Sequence, residues 1–239
     1  MDKMMIIYRK KDLGRFQNEW LNAHYHFSFG HYHNPDRMGF GNLRVINDDI
    51  IAAGQGFDPH PHRNMEIITY VREGSIIHRD NLGNEGITKA GDVQVMSAGS
   101  GITHAEYSDT HQPTKLFQIW IEPRERNVTP RWDQAEFPHA PVNQNLKLLV
   151  SGRDSHKDQI DTGQVLYIHQ DASLYGGVIE KGNKITHHPH SGQLYMIVSK
   201  GDITVNDETL SEGDGAEISD KSPLEIIAQT NAEIVIIDL

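Results

Sequence analysis

The chain has 239 residues, a formal net charge of −11 and no cysteine. That length can bury one large β core or two smaller ones. The acidic balance disfavours non-specific binding to nucleic acid, and the missing thiols exclude disulfides and thiolate metal sites, so any metal must be held by nitrogen and oxygen.

No stretch approaches the ~20 apolar residues of a membrane span. The apolar run Met4–Ile7 is too short for a signal-peptide core. A soluble cytoplasmic protein with neither a nucleic-acid nor a membrane partner is the expectation.

Met5–Arg9 predicts an opening strand. His24–His33 alternates polar and aromatic residues and also reads as a strand. Its pairs His24/His26 and His31/His33 have no third ligand type at a useful spacing. They are expected to face water or a loop while the aromatics pack inward. Asn34-Pro35-Asp36 signals a turn, and Leu43–Asp49 a strand running into a turn. Glu66–Val71 predicts a buried strand, with Ser75–Arg79 returning beyond Gly74 as its hairpin partner. Val93–Met96 and Lys115–Ile121 read as further strands. Residues 123–145, rich in Pro, Asn, Gln and Arg, lack periodicity and read as a linker. Strand pattern resumes at Leu146–Val150 and runs on to Ile234–Ile237.

Two short segments carry the chemistry. Asp58-Pro59-His60-Pro61-His62 and Gly101-Ile102-Thr103-His104-Ala105-Glu106 each place two metal-ligand types two residues apart. In an extended strand, residues i and i+2 share a face. His60 and His62 would project together, as would His104 and Glu106. If the two strands face each other, three imidazoles and a carboxylate converge, a donor set suited to a divalent first-row metal. Glu66, four residues after His62, competes for the carboxylate position if no bulge intervenes.

The halves echo each other. His60-Pro61-His62 recurs as His188-Pro189-His190, and Gly91-Asp92 as Gly213-Asp214. The interval from the first histidine to the following hairpin glycine is 14 residues to Gly74 and 13 to Gly201. Two β barrels in tandem explain this. The expected division is an N-terminal metal-binding domain over 1–125, a linker over 126–145 and a C-terminal domain over 146–239. The second half has Gln193 where a carboxylate would be needed and no histidine after Gly213-Asp214. It therefore predicts no complete metal site.

Gly54, His60, His62 and Glu66 resemble the first motif of the cupins, with Gly74 one residue late. Gly91 through Gly99 to His104 resembles the second, with Ser97 in place of the usual Pro. In detail the chain resembles the pirins. The match lies in Phe27-Ser28-Phe29, Met38–Gly41, Leu43–Asp49, His60–Glu66, Gly91–Met96, Ala98–Glu106 and Gln118–Pro123. Tyr25 departs from it, standing where the family tends to have a histidine. The resemblance implies an all-β fold of two cupin barrels face to face and one metal in the N-terminal barrel. Its ligands would be His60, His62, His104 and Glu106.

Some pirins have quercetin 2,3-dioxygenase activity, so the resemblance implies a flavonoid-like substrate and O2, with release of CO. Fe(II) is the expected ion; zinc, copper, nickel, cobalt and manganese suit the same donors. Glu106 would also accept the proton of the substrate's enol-type hydroxyl. Two other readings stand beside this one. The chain could oxidise another enolisable small molecule. It could instead be a non-catalytic, metal-dependent regulator with a protein partner; a nuclear animal pirin acts as a transcriptional cofactor.

Overall fold

The computed structural model describes residues 5–109, 111–137 and 139–239, and they are almost entirely β. Up to residue 135 the strands are β1 (Met5–Tyr8), β2 (Gly14–Gln17), β3 (Leu21–Tyr25), β4 (Leu43–Ile51), β5 (Gly56–His62) and β6 (Glu66–Glu73). They continue as β7 (Ser75–Asp80), β8 (Glu85–Lys89), β9 (Val93–Ser97), β10 (Ile102–Ser108), β11 (Thr114–Ile121) and β12 (Arg131–Ala135). Among the described residues no helix is long and apolar enough to cross a membrane.

Two compact units form. One comprises Gly14–Pro138 with Asp154–Gln170, the other Met1–Leu13, His139–Arg153 and Asp171–Leu239. These limits differ from the division expected at 125 and 146, for three reasons. β1 pairs with Gly215–Ile218, and Arg9 beside it reaches Asp214 at 2.8 Å, so the first residues complete the C-terminal unit. β12, inside the expected linker, pairs with β9 and becomes an edge strand of the N-terminal unit. Residues 154–170 return to that unit, where Gln170 donates to the Glu122 carbonyl at 2.6 Å.

The N-terminal unit has a four-stranded sheet, ordered β5-β10-β7-β8, and a seven-stranded sheet, ordered β12-β9-β6-β11-β4-β3-β2. In the C-terminal unit the four-stranded order recurs as Lys184–His187, Leu224–Ala228, Asp202–Val205 and Glu208–Ser211. The echo in the sequence is thus a repeated topology, and the second unit closes on a core including Leu194, Met196, Ile226 and Ile236.

Three local expectations change. The strand from His24 ends at Tyr25, and the chain turns through residues 26–42. His26 is buried there, its carbonyl accepting from the Arg37 guanidinium at 2.8 and 3.1 Å. β7 is not the hairpin partner of β6, because Gly74, at φ +76°, passes the chain to the other sheet. β4 does not turn at Asp48-Asp49. It runs on to Ile51, and Asn47, Asp48 and Asp49 are all buried.

Strand register produces one polar row across the large sheet. Tyr25 pairs with Asn47, Asn47 with Gln118, Gln118 with Thr69, Thr69 with Gln94, and Gln94 with Gln134. The next row, Ala23–Asp49–Leu116–Val71, is apolar except for Asp49. Gly56 sets the approach of β5 to β10, since a Cβ there would lie 2.1 Å from the Glu106 carbonyl oxygen. Gly56→Ala is therefore expected to cost about 1–3 kcal/mol. It should also weaken metal binding by displacing β5, both effects measurable by thermal melts with and without added metal.

Candidate metal centre

β5 and β10 are neighbours in one sheet, not members of facing sheets, and His104 pairs directly with His60. A register shift between His104 and Glu106 places a bulge opposite them at Asp58-Pro59, where proline has no N–H to give the ladder. Beyond the bulge, from Pro59 to His62, the alternation holds. Pro61 is exposed, while His60 and His62 are half-buried.

The ligand atoms of His60, His62 and His104 lie within 4.8 Å of one another. Ring centroids are 4.5 Å apart for His60 and His104 and 4.8 Å for His60 and His62. The His60 Nδ1–H donates to the Asp58 carbonyl at 2.7 Å, which leaves its Nε2 lone pair for a ligand role. His104 is buried, and its Nε2 has no hydrogen-bond partner. Burial first, then the neighbouring imidazoles, push the pKa values of His62 and His104 down to about 3. Both rings are neutral at physiological pH, the form that coordinates a cation. A buried His104 Nε2 without a partner, beside two further imidazoles in an all-nitrogen and oxygen donor set, fits a divalent metal.

Glu106 forms a second group with His104 and His78, again within 4.8 Å. It reaches the polar row of the large sheet, where Gln94 Nε2 donates to Oε1 at 2.5 Å and Gln118 Nε2 donates to Oε2. Burial raises its pKa, opposed by His78 and by the Gln118 hydrogen bond. Glu66 has the opposite strand parity from Thr69. It is fully buried and accepts from Ser97 Oγ at 2.8 Å and the His169 N–H at 3.1 Å. The Glu66 carboxylate therefore anchors a loop and does not compete for the imidazole cluster.

His78 was not anticipated. On β7 it pairs with Glu106, while Asp80 pairs with His104. The signal was present as one more i, i+2 pair, His78-Arg79-Asp80, but only the register puts it beside His104. Hydrogen bonds link the three side chains in line. His78 Nε2 lies 3.1 Å from Asp80 Oδ2, and His78 Nδ1 lies 3.4 Å from His104 Nδ1. Burial works to raise the Asp80 pKa, but bonds from Asn84, His78 and Leu82 outweigh it and hold it below the ordinary range. An ionised Asp80 accepts from His78 Nε2–H. His78 Nδ1 then accepts from His104 Nδ1–H, which leaves the His104 Nε2 lone pair toward the other imidazoles. His78 is also stacked on Trp132, with centroids 4.8 Å apart and planes at 9°.

A cavity of about 410 Å³ opens over the site. His60, His62, Glu106 and Gln118 form part of its wall, with Trp20, Phe29, Phe57 and Trp120 as aromatic faces. Trp120 stands edge-to-face with His62 at 4.9 Å and with Phe29 at 5.4 Å. In the C-terminal unit, His188-Pro189-His190 lies beyond the end of the strand Lys184–His187. His187 is buried with Nε2 3.9 Å from Asp238 Oδ2. Among the described residues, the groups of three ligand types are those around His104.

A family model described as Pirin matches residues 8–121, and one described as the quercetinase C-terminal cupin domain matches 155–239. A pirin-like protein of Caulobacter vibrioides is 45% identical over 229 residues, covering 95% of each chain. A quercetin 2,3-dioxygenase of Escherichia coli K12 is 39% identical over 238 residues, covering 99% of each. The crystal structure of the bacterial pirin YhhW from Escherichia coli, in complex with nickel(II), superposes with a TM-score of 0.88. It has 38% identity and 98% coverage of both chains. Identity of this order over nearly the full length, on the same tandem all-β fold, means that the chain belongs to the pirin family.

Proposed function

We propose that this pirin is a metal-dependent dioxygenase that opens a flavonol such as quercetin with O2 and releases CO. The observation that carries the reading is the cluster of three histidines, two of them held neutral by burial, and a buried carboxylate against an aromatic-walled cavity. The name of the Escherichia coli relative supports the same substrate class. His60, His62, His104 and Glu106 would hold one divalent ion, with Fe(II) as the proposed occupant. When bound, such an ion supplies Lewis acidity toward an enol-type oxygen and a redox partner for O2.

The protein's own part is positioning and proton transfer. Trp120 and Phe57 offer faces for a flat ring. Glu106 accepts the proton of the substrate hydroxyl, and its burial makes it a stronger base than an exposed carboxylate. Gln94 and Gln118 fix its orientation. One O2 is consumed for each CO released. The C-terminal unit is proposed to be a structural barrel without a metal of its own.

The test compares Fe(II)-reconstituted with metal-stripped protein, following quercetin absorbance and CO in air. Rapid loss with CO only in the Fe(II) form is expected. Equal slow loss in both, with metal confirmed bound, would remove the flavonol reading in favour of another enolisable substrate or a protein partner.

A further inference from the structure

The cavity wall contains two polar groups that the metal centre does not use. Asn47 and Asp49 are 4% and 2% exposed, and both line the cavity shared with His60, His62 and Glu106. Asn47 Oδ1 and Asp49 Oδ1 have no hydrogen-bond partner in the protein. The intervening Asp48 points to the other side of the sheet, where it pairs with Arg72. Asp49 sits in a row with Ala23, Leu116 and Val71, which give it no polar contact; the Tyr25 phenol feels its charge but leaves Oδ1 without a hydrogen bond.

A buried polar group left unpaired costs more than its hydrogen bond would have contributed, whereas an apolar group of the same shape would be neutral or stabilising there. Asn47 and Asp49 are close in shape to leucine, so packing alone does not explain them. Groups that break local packing rules are expected where function needs them.

We propose that Asn47 and Asp49 form a hydroxyl-recognising subsite, which selects flat aromatic ligands bearing neutral hydroxyl groups on the end remote from the imidazoles. A hydroxyl both donates and accepts. It can donate to Asn47 Oδ1 and exchange a hydrogen bond with Asp49 in either protonation state. An anionic group is disfavoured at this end by Asp49, Asp48 and Glu106. Burial, then Asp48 and Glu106, raise the Asp49 pKa in the same acidic surroundings, with Arg72 opposing. Asn47 stands in the Gln118 row that holds Glu106, and Asp49 lies one strand row, about 7 Å, beyond it. Trp20 and Phe57, edge-to-face at 5.2 Å, line the same cavity. A ligand of two joined ring systems could therefore meet the imidazoles at one end and Asp49 at the other.

This inference rests on the flavonol reading and specifies which flavonols are taken. Its test is calorimetric binding to Fe(II)-loaded protein without oxygen. Quercetin is compared with 3-hydroxyflavone, which keeps the metal-facing hydroxyl and carbonyl but lacks the other hydroxyls. The wild type is expected to favour quercetin by at least about tenfold. Asn47→Leu and Asp49→Leu should erase that preference, leaving 3-hydroxyflavone binding within about twofold of wild type. Metal-free melting temperatures of both variants should hold or rise, so loss of the preference cannot be assigned to misfolding, and either variant alone carries the test. Retention of the preference in both variants, or a fall in both melting temperatures, would overturn the subsite while the flavonol reading stood. A metal-loaded wild type that binds neither ligand would remove the flavonol reading and the subsite together.

Discussion

His104→Ala is expected to lower metal affinity by more than about 100-fold, the upper range for losing a mere supporting contact to a ligand. Oxygen-dependent quercetin loss should fall with it to the background of the stripped protein. His104 is the hinge of the site. It belongs to both ligand groups, pairs in register with His60 and is bonded to His78. Its removal takes one nitrogen from the proposed donor set and strands the Asp80–His78 pair. The measurement is a chelator competition, with metal content after dialysis and turnover in air. A variant that kept stoichiometric metal in the cavity and full turnover would move the metal elsewhere.

The second large effect is expected one step out. His78→Phe keeps the aromatic stack on Trp132 but removes both ring nitrogens, so His104 loses the partner that fixes its tautomer. Asp80→Asn acts more subtly. An amide N–H facing His78 Nε2 would make that nitrogen an acceptor, put the His78 proton on Nδ1 and turn His104 Nδ1 into an acceptor. The His104 Nε2 would then carry a proton where a metal needs a lone pair. Each variant should lose about 10–100-fold in metal affinity. Metal-free melting separates this from a general loss of fold. His78→Phe, one apolar ring for another on Trp132, should melt near wild type while binding metal weakly. Unchanged affinity in both variants would show that the chain of bonds from Asp80 does not orient His104.

Much of this was legible in the sequence. The His60/His62 and His104/Glu106 spacings rest on local strand geometry, in which alternate residues share a face, and His60, His62 and His104 do come together. The strands Glu66–Glu73, Val93–Ser97 and Thr114–Ile121 are near-continuous apolar runs with breakers at their ends, so their existence is a local property. The repeated interval after each His-Pro-His likewise marks a repeated topology. What the sequence could not supply is register, because the partner of a strand is chosen by distant residues. Arg131–Ala135 looks like linker, yet it closes a sheet because β9 offers it an edge. Asn47-Asp48-Asp49 has the composition of a turn, yet neighbours on both sides hold it extended.

The fold class, the tandem repeat and the histidine pairs are therefore readable along one chain, since local alternation and spacing set them. The packed fold alone shows that His78 and Asp80 stand behind His104, that Glu66 faces away, and that Asp49 Oδ1 is without a partner in the cavity wall. Each of these depends on which strands lie side by side, and that choice follows from burying the whole apolar surface at once.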